Sequence, residues 1–227
     1  MEIIIRPIAT MHSDFSTKFG IPRQSGIVDS LRSTIVFEPE YRNTDALRGI
    51  DDFSHLWIIW QFSESVTDRW SPTVRPPRLG GNTRMGVFAT RSPFRPNSLG
   101  LSCVKLIGLE ETRDLGTIIH VAGADLMDGT PIFDIKPYIP YADAHPDALG
   151  GFTDTARDFI LKVNFPDDLL SKLPKEKQTS IVDLLSHDPR PSYQDDSERI
   201  YGLNFAGYDI RFSVEKENLH VKEVIKL

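Results

Sequence analysis

Between Ala89 and Ser102 the chain reads "ATRSPFRPNSLGLS", and this stretch limits the fold more than any other. Two arginines, two prolines and Asn97 stand between a β-prone run, Met85 to Phe88, and an alternating one, Leu101 to Leu109. Proline fixes φ and has no N–H to donate, so the stretch is neither a helix interior nor a central strand. It predicts a stiff, charged loop joining two strands. The charge around it has one sign. From Arg69 to Leu109 there is no Asp or Glu, while six arginines and Lys105 bring +7, leaving −13 on the rest of a chain whose net charge is −6. An acidic body with one arginine-dominated band reads as a focused anion site, not as a general polyelectrolyte binder. The alternative is a proline-rich loop whose arginines are merely solvated.

The surrounding pattern predicts a mainly β chain with added helices, of the α+β class. It divides into a β-rich domain over residues 1–144 and a smaller helix-and-hairpin module over residues 145–227. Strands are expected at Glu2 to Ala9, Ser33 to Phe37, Gly86 to Thr90, Ser102 to Leu109 and Thr117 to Leu126. Phe53 to Phe62 ("FSHLWIIWQF") is apolar on both faces and reads as a central strand. "NTDALRGI" reads as a short helix capped by Asn43 or Thr44. Helices are expected over Asp154 to Val163, Pro166 to Leu173 and Lys175 to His187, with Pro174 separating the last two. The final run from Tyr208 alternates about Lys216-Glu217-Asn218 and reads as a hairpin.

Many familiar chemistries are excluded. The sequence has neither a P-loop nor a G-x-G-x-x-G turn, and strands and helices do not alternate as a doubly wound sheet requires. Its six histidines show no H-x-x-x-H or H-x-H spacing, and it has a single cysteine, Cys103. No metal site is therefore expected, and a reducing, cytoplasmic setting is. No G-x-S-x-G elbow is present. No apolar stretch approaches bilayer length, so no membrane partner is expected.

Three stiff polar segments remain: "GIPRQSG" (Gly20 to Gly26), Arg75 to Ser102, and "DLMDGTPIFDIKPY" (Asp125 to Tyr138). Each mixes glycine or proline with charged side chains, and together they read as walls of one pocket. With "KFGIPRQSG", "FSHLWII", "TVRPPRLGGNTRMGVFATRSPFRPN", "GLS" and "DGTPIFDIKPYIPYAD" in this order and spacing, the chain resembles the TrmO-type (YaeB-like) tRNA (adenine-N6)-methyltransferase family. "DPRPSY" (Asp188 to Tyr193) extends the resemblance into the C-terminal module, which matches more weakly. Ser25-Gly26 and Ser98-Leu99-Gly100 depart from the family pattern but leave the charged residues in place.

The resemblance implies a small non-Rossmann β-barrel that binds S-adenosylmethionine and works as a homodimer. Its acceptor would be N6 of threonylcarbamoyladenosine beside the anticodon of threonine tRNA. By motif position it implies donor contacts from Pro22, Arg23, Gln24, His55, Leu56, Arg91, Leu101, Leu126, Asp128 and Gly129. For His55 the alternative is a core histidine, and for Gly129 simple turn chemistry after Asp128. The target nitrogen is conjugated to a purine and a carbonyl, so its proton should leave as the methyl arrives, which calls for a base. Candidates are Asp128, Asp134 and Tyr138, with Lys136 as electrostatic partner. Asp134, Lys136 and Tyr138 share a face in an extended segment. The alternative is an Asp-Lys pair that only anchors the strand. Arg75, Arg78, Arg84 and Arg95 are assigned to RNA phosphates, which the guanidinium fork suits. Two other functions stay open: a methyltransferase of this fold with another acceptor, and an inactive RNA- or S-adenosylmethionine-binding module.

Overall fold

A computed structural model describes residues 3–67, 69–79, 82–154, 160–190 and 196–227. In its N-terminal part the strands are β1 (Ala9–His12), β2 (Arg32–Phe37), β3 (His55–Gln61), β4 (Thr73–Val74), β5 (Met85–Gly86), β6 (Leu99–Thr112), β7 (Gly116–Ala122) and β8 (Thr130–Pro137). Six of them pair antiparallel into a ring, β1-β2-β7-β6-β3-β8 and back to β1, so none of the six presents a free edge. β3 is paired on both sides, by β6 and β8, as its apolar run predicts. Leu56, Ile58 and Trp60 point inward and are buried, while Trp57, Ile59 and Gln61 alternate onto the outer face. With Met11, Ile35, Ile119, Val121 and Ile132 the inner residues form the first core. An irregularity between Leu106 and Gly108 interrupts the β6–β7 register, the kind of defect that lets a long strand bend.

Two strand expectations are corrected. The first ladder begins at Ala9, whose register partners are Phe37 and Ile132; of the expected run before it, Glu2 lies outside the described residues and Ile3, Ile4 and Ile5 are exposed. The Gly86 to Thr90 strand shrinks to the two residues of β5. There the Val87 N–H turns to the Pro72 carbonyl and Thr90 closes a 3-10 turn back onto Val87. The short helix at Thr44–Leu47 forms as a 3-10 turn, with the Asn43 side chain accepting from the Asp45 N–H as a cap.

The C-terminal part holds β9 (Lys162–Asn164), β10 (Tyr201–Phe205), β11 (Tyr208–Glu215) and β12 (Asn218–Lys226) in the order β10-β11-β12-β9. Among the described residues the α-helices α2 (Asp167–Leu170) and α3 (Lys175–Ser186) accompany it, while α1 (Pro140–Asp143) follows β8 at the end of the N-terminal part. The predicted hairpin is β11–β12. The predicted helix over Asp154 to Val163 is replaced at its end by β9, which runs parallel to β12; residues 155–159 lie outside the described ones. Strand geometry wins there because the Lys162 N–H bonds the Glu217 carbonyl and Val163 packs on the core. β10 was not anticipated, although Tyr201, Leu203 and Phe205 alternate with Gly202 and Asn204. Among the described residues no helix is long and apolar enough to cross a membrane.

The second core joins the two parts. Residues 13–31, which run from β1 to β2, send Phe15, Val28 and Leu31 into the same cluster as Leu203, Phe205 and Phe212. The Phe15 and Phe205 rings meet edge-on at 5.7 Å. Polar ties add to this: Lys177 Nζ lies 2.6 Å from Asp14, and the Ser180 hydroxyl donates to the Ser30 carbonyl at 2.7 Å. The loop is thus ordered by the C-terminal part although it precedes most of the ring in sequence.

Candidate active site

Where β3 ends and β6 begins, Trp60 pairs with Gly100. A Cβ at Gly100 would stand 2.3 Å from the Trp60 ring, so only glycine lets the indole lie there. The indole N–H then donates to the Ser102 hydroxyl at 3.0 Å, and that hydroxyl donates to Asp125 Oδ1 at 2.6 Å. Burial pushes the Asp125 carboxyl above its ordinary pKa, against lowering contributions from the Ser102 hydroxyl, the Asp125 and Ser25 amides and the Arg91 guanidinium. In the sequence Asp125 stands out only as the first residue of the "DLMDGTPIFDIKPY" segment.

Above this network lies a cavity of about 530 Å³, within the range of small-ligand sites. One wall is the loop carrying Pro22, Arg23 and Gln24; another is the loop carrying Thr90, Arg91, Pro93 and Arg95; Trp57 and Leu101 contribute from the ring, and Asp125 and Met127 from the loop between β7 and β8. Two of the three predicted walls therefore meet side chain to side chain, since the Arg91 guanidinium donates to Gln24 Oε1. Arg23 in turn donates to the Arg190 carbonyl at 3.3 Å. Arg190 is gripped by both oxygens of Asp188, part of the "DPRPSY" segment, whose residues 191–193 lie outside the described ones.

Of the residues assigned to the donor, the cavity brings together Pro22, Arg23, Gln24, Arg91 and Leu101. His55 stands apart with its ring 6.1 Å from Tyr138 and Nδ1 2.9 Å from the Ser54 hydroxyl. Leu56 and Leu126 are fully buried, and Leu126 offers its carbonyl to the Ser13 hydroxyl at 2.8 Å. Asp128 faces a second, smaller cleft, where Oδ1 lies 3.2 Å from His12 Nδ1 and accepts from the Ser13 N–H at 3.1 Å. Gly129 occupies the turn after it, its N–H bonded to the Met11 carbonyl.

The catalytic candidates on β8 share a face as the alternation predicts. Lys136 Nζ lies 2.9 Å from Asp134, and Tyr138 sits 5.9 Å from Trp57, ring to ring. Register pairs Lys136 with Trp57 and Asp134 with Ile59 on the outer face of the ring, beside the Trp57 edge of the cavity, which neither Lys136 nor Asp134 lines. Of the arginines assigned to RNA, Arg75 and Arg84 are exposed, with Arg84 Nη1 3.4 Å from the Thr73 hydroxyl. Arg95 is tied inward, donating to the Thr90 and Ser92 carbonyls at 3.0 and 3.3 Å. The side chain of Arg78 lies outside the described part of the structure.

A ring of strands with an arginine-bearing, loop-walled cavity and no glycine-rich phosphate turn belongs, by comparison with known proteins, to the class of S-adenosylmethionine-dependent methyltransferases. Residues 10–144 match the tRNA-methyltransferase O N-terminal domain and residues 159–227 the TrmO C-terminal domain. The chain belongs to the tRNA-methyltransferase O family. It is 39% identical over 222 residues, 94% of each chain, to a tRNA (adenine(37)-N6)-methyltransferase of Escherichia coli strain K12. It is 37% identical over 223 residues to a putative S-adenosylmethionine-dependent methyltransferase, RcsF, of Pseudomonas aeruginosa, covering 95% of this chain and 94% of the other. A crystal structure of TrmO from Pseudomonas aeruginosa superposes with a TM-score of 0.80 at 31% identity, covering 99% of this chain and 98% of that one.

Proposed function

We propose that this enzyme methylates N6 of N6-threonylcarbamoyladenosine at position 37 of threonine tRNA, the position named for its relatives. The observation that carries the reading is the cavity in which Gln24, Arg91, Leu101 and Asp125 converge. Its chemistry fits S-adenosylmethionine: exposed Leu101 and neighbouring Trp57 offer apolar cover for an adenine, and Arg91 a fork for a carboxylate. When bound, the donor supplies a methyl group on a positively charged sulfur. Pro22, Arg23, Gln24, Arg91 and Leu101 are read as its direct contacts. His55, Leu56, Leu126, Asp128 and Gly129 are read as the frame around them.

The acceptor side is read onto the β4–β5 arm. Arg75 and Arg84 are exposed there, and Trp70 and Phe88 lie 6.1 Å apart with half or more of each surface open. Single-stranded RNA loops are recognised by stacking on such rings with guanidinium groups at the phosphates. The ring of strands is read as a small barrel. Residues 1–144 are read as the catalytic domain and residues 145–227 as a separate module. The outer face bearing Ile59, Asp134 and Lys136 is read as the homodimer surface, in a cytoplasmic enzyme.

The test is transfer of labelled methyl groups to tRNA with and without the threonylcarbamoyl group. Label on the modified tRNA alone is expected. Label on the unmodified tRNA, or on another nucleic acid instead, would move the enzyme to a different acceptor. Donor binding with no transfer to any tRNA would leave an inactive binding module.

A further inference from the structure

We propose that Asp125 accepts the proton of the methylated nitrogen, a catalytic residue held in place by Ser102 and Trp60; the proposal rests on the acceptor reading above. Among the described residues lining the cavity the carboxylates are Glu64 and Asp125. Glu64 is exposed on the 3-10 turn Ser63–Ser65. Asp125 comes up from the floor. The Ser102 hydroxyl spends its one proton on Asp125 and is itself fixed by the Trp60 indole, so the carboxylate is presented in one orientation. The residues assigned to catalysis from the sequence, Asp128, Asp134, Lys136 and Tyr138, do not border this cavity.

The chemistry asks for a group of this kind. As the N6–CH3 bond forms and the S–CH3 bond breaks, the N6–H bond breaks and its proton passes to the Asp125 carboxylate. The donor then leaves as a neutral thioether, and the carboxylic acid returns its proton to water. A carboxylate drawn partly out of water is a stronger base than an exposed one. The charged groups facing it set the balance: Arg91 from the opposite loop favours the ionised form, and Lys18, Arg23, Arg95 and Glu64 complete the charged lining.

The experiment uses the full chain, single-turnover methyl transfer to a tRNA that the parent methylates, and calorimetric titration with S-adenosylmethionine. Asp125→Asn is expected to keep the parent's donor affinity while the transfer rate falls about a hundredfold or more, and to lose the acid limb of the pH–rate profile. Ser102→Ala removes a hydrogen bond that favours the charged form. It is expected to remain active with its acid limb moved to higher pH. An Asp125→Asn enzyme that methylates at the parent rate would overturn the proposal. So would one whose donor affinity collapses while its rate at saturating donor is unchanged, since that marks a donor ligand. A parent that labels no tRNA at all would instead overturn the acceptor reading, independently of any Asp125 variant.

Discussion

The side chain of Asp125 is a half-buried acid accepting from the Ser102 hydroxyl 2.6 Å away. Burial raises its pKa, so the folded chain holds this proton more tightly than the unfolded chain does. Stability from the group is fully present below the ordinary carboxylate pKa and is lost as pH rises through the folded value. Asp125→Asn is neutral throughout and can still accept from Ser102. It is therefore expected to melt above the parent at neutral pH, with the gap closing as the pH falls below the ordinary carboxylate range. Thermal unfolding of both proteins across that range measures this directly. A parent that melts higher at neutral pH would mean that the carboxylate's hydrogen bonds outweigh its burial. None of this was legible locally. The partners Ser102 and Trp60 stand 23 and 65 positions before Asp125, and only closure of the strand ring brings the three together.

At the level of elements, the donor loop and the C-terminal sheet form one packed unit. Gly20 has φ near 87°, and a Cβ there would stand 2.0 Å from Leu203 Cδ1. Gly20→Ala therefore adds both backbone strain and a collision. It is expected to displace Pro22, Arg23 and Gln24 and to weaken S-adenosylmethionine binding several-fold, leaving tRNA affinity at the Arg75–Arg84 arm intact. Adding Leu203→Ala to it reopens space, and about 1 kcal/mol or more of stability should return relative to the sum of the single changes. Strict additivity in chemical denaturation would show that the two residues do not meet. β3 was legible because its run is apolar on both faces, and the β11–β12 hairpin because apolar side chains alternate along it. The loop was not. Phe15, Phe19, Ile21, Val28 and Leu31 follow neither the strand nor the helix period, so their common burial depends on a sheet found nearly two hundred residues later in the chain.

For the molecule as a whole, the decisive quantity is where its charge lies. A body of −13 repels a polyanion, and the band of +7 offers it a single approach. That asymmetry was visible in the sequence, and the structure refines it by dividing the arginines. Arg91 and Arg95 face the cavity, Arg91 exposed but bonded to Gln24 and Arg95 half-buried on the Thr90 and Ser92 carbonyls, whereas Arg75 and Arg84 are exposed on the arm. Arginines so tied should shape the cavity and contribute little to counterion release. Exposed ones that meet phosphates should each add about 0.7 to 0.9 to the slope of log affinity against log salt. The double variant Arg75→Ala/Arg84→Ala is thus expected to lower that slope by about 1.4 to 1.8 in a salt titration of tRNA binding, with donor affinity unchanged. Arg95→Ala is expected to leave the slope nearly as it is and to impair transfer by loosening the loop that carries Arg91. The reverse pattern, a flat response in the arm variant and a lowered slope in Arg95→Ala, would place the RNA over the cavity mouth rather than along the arm.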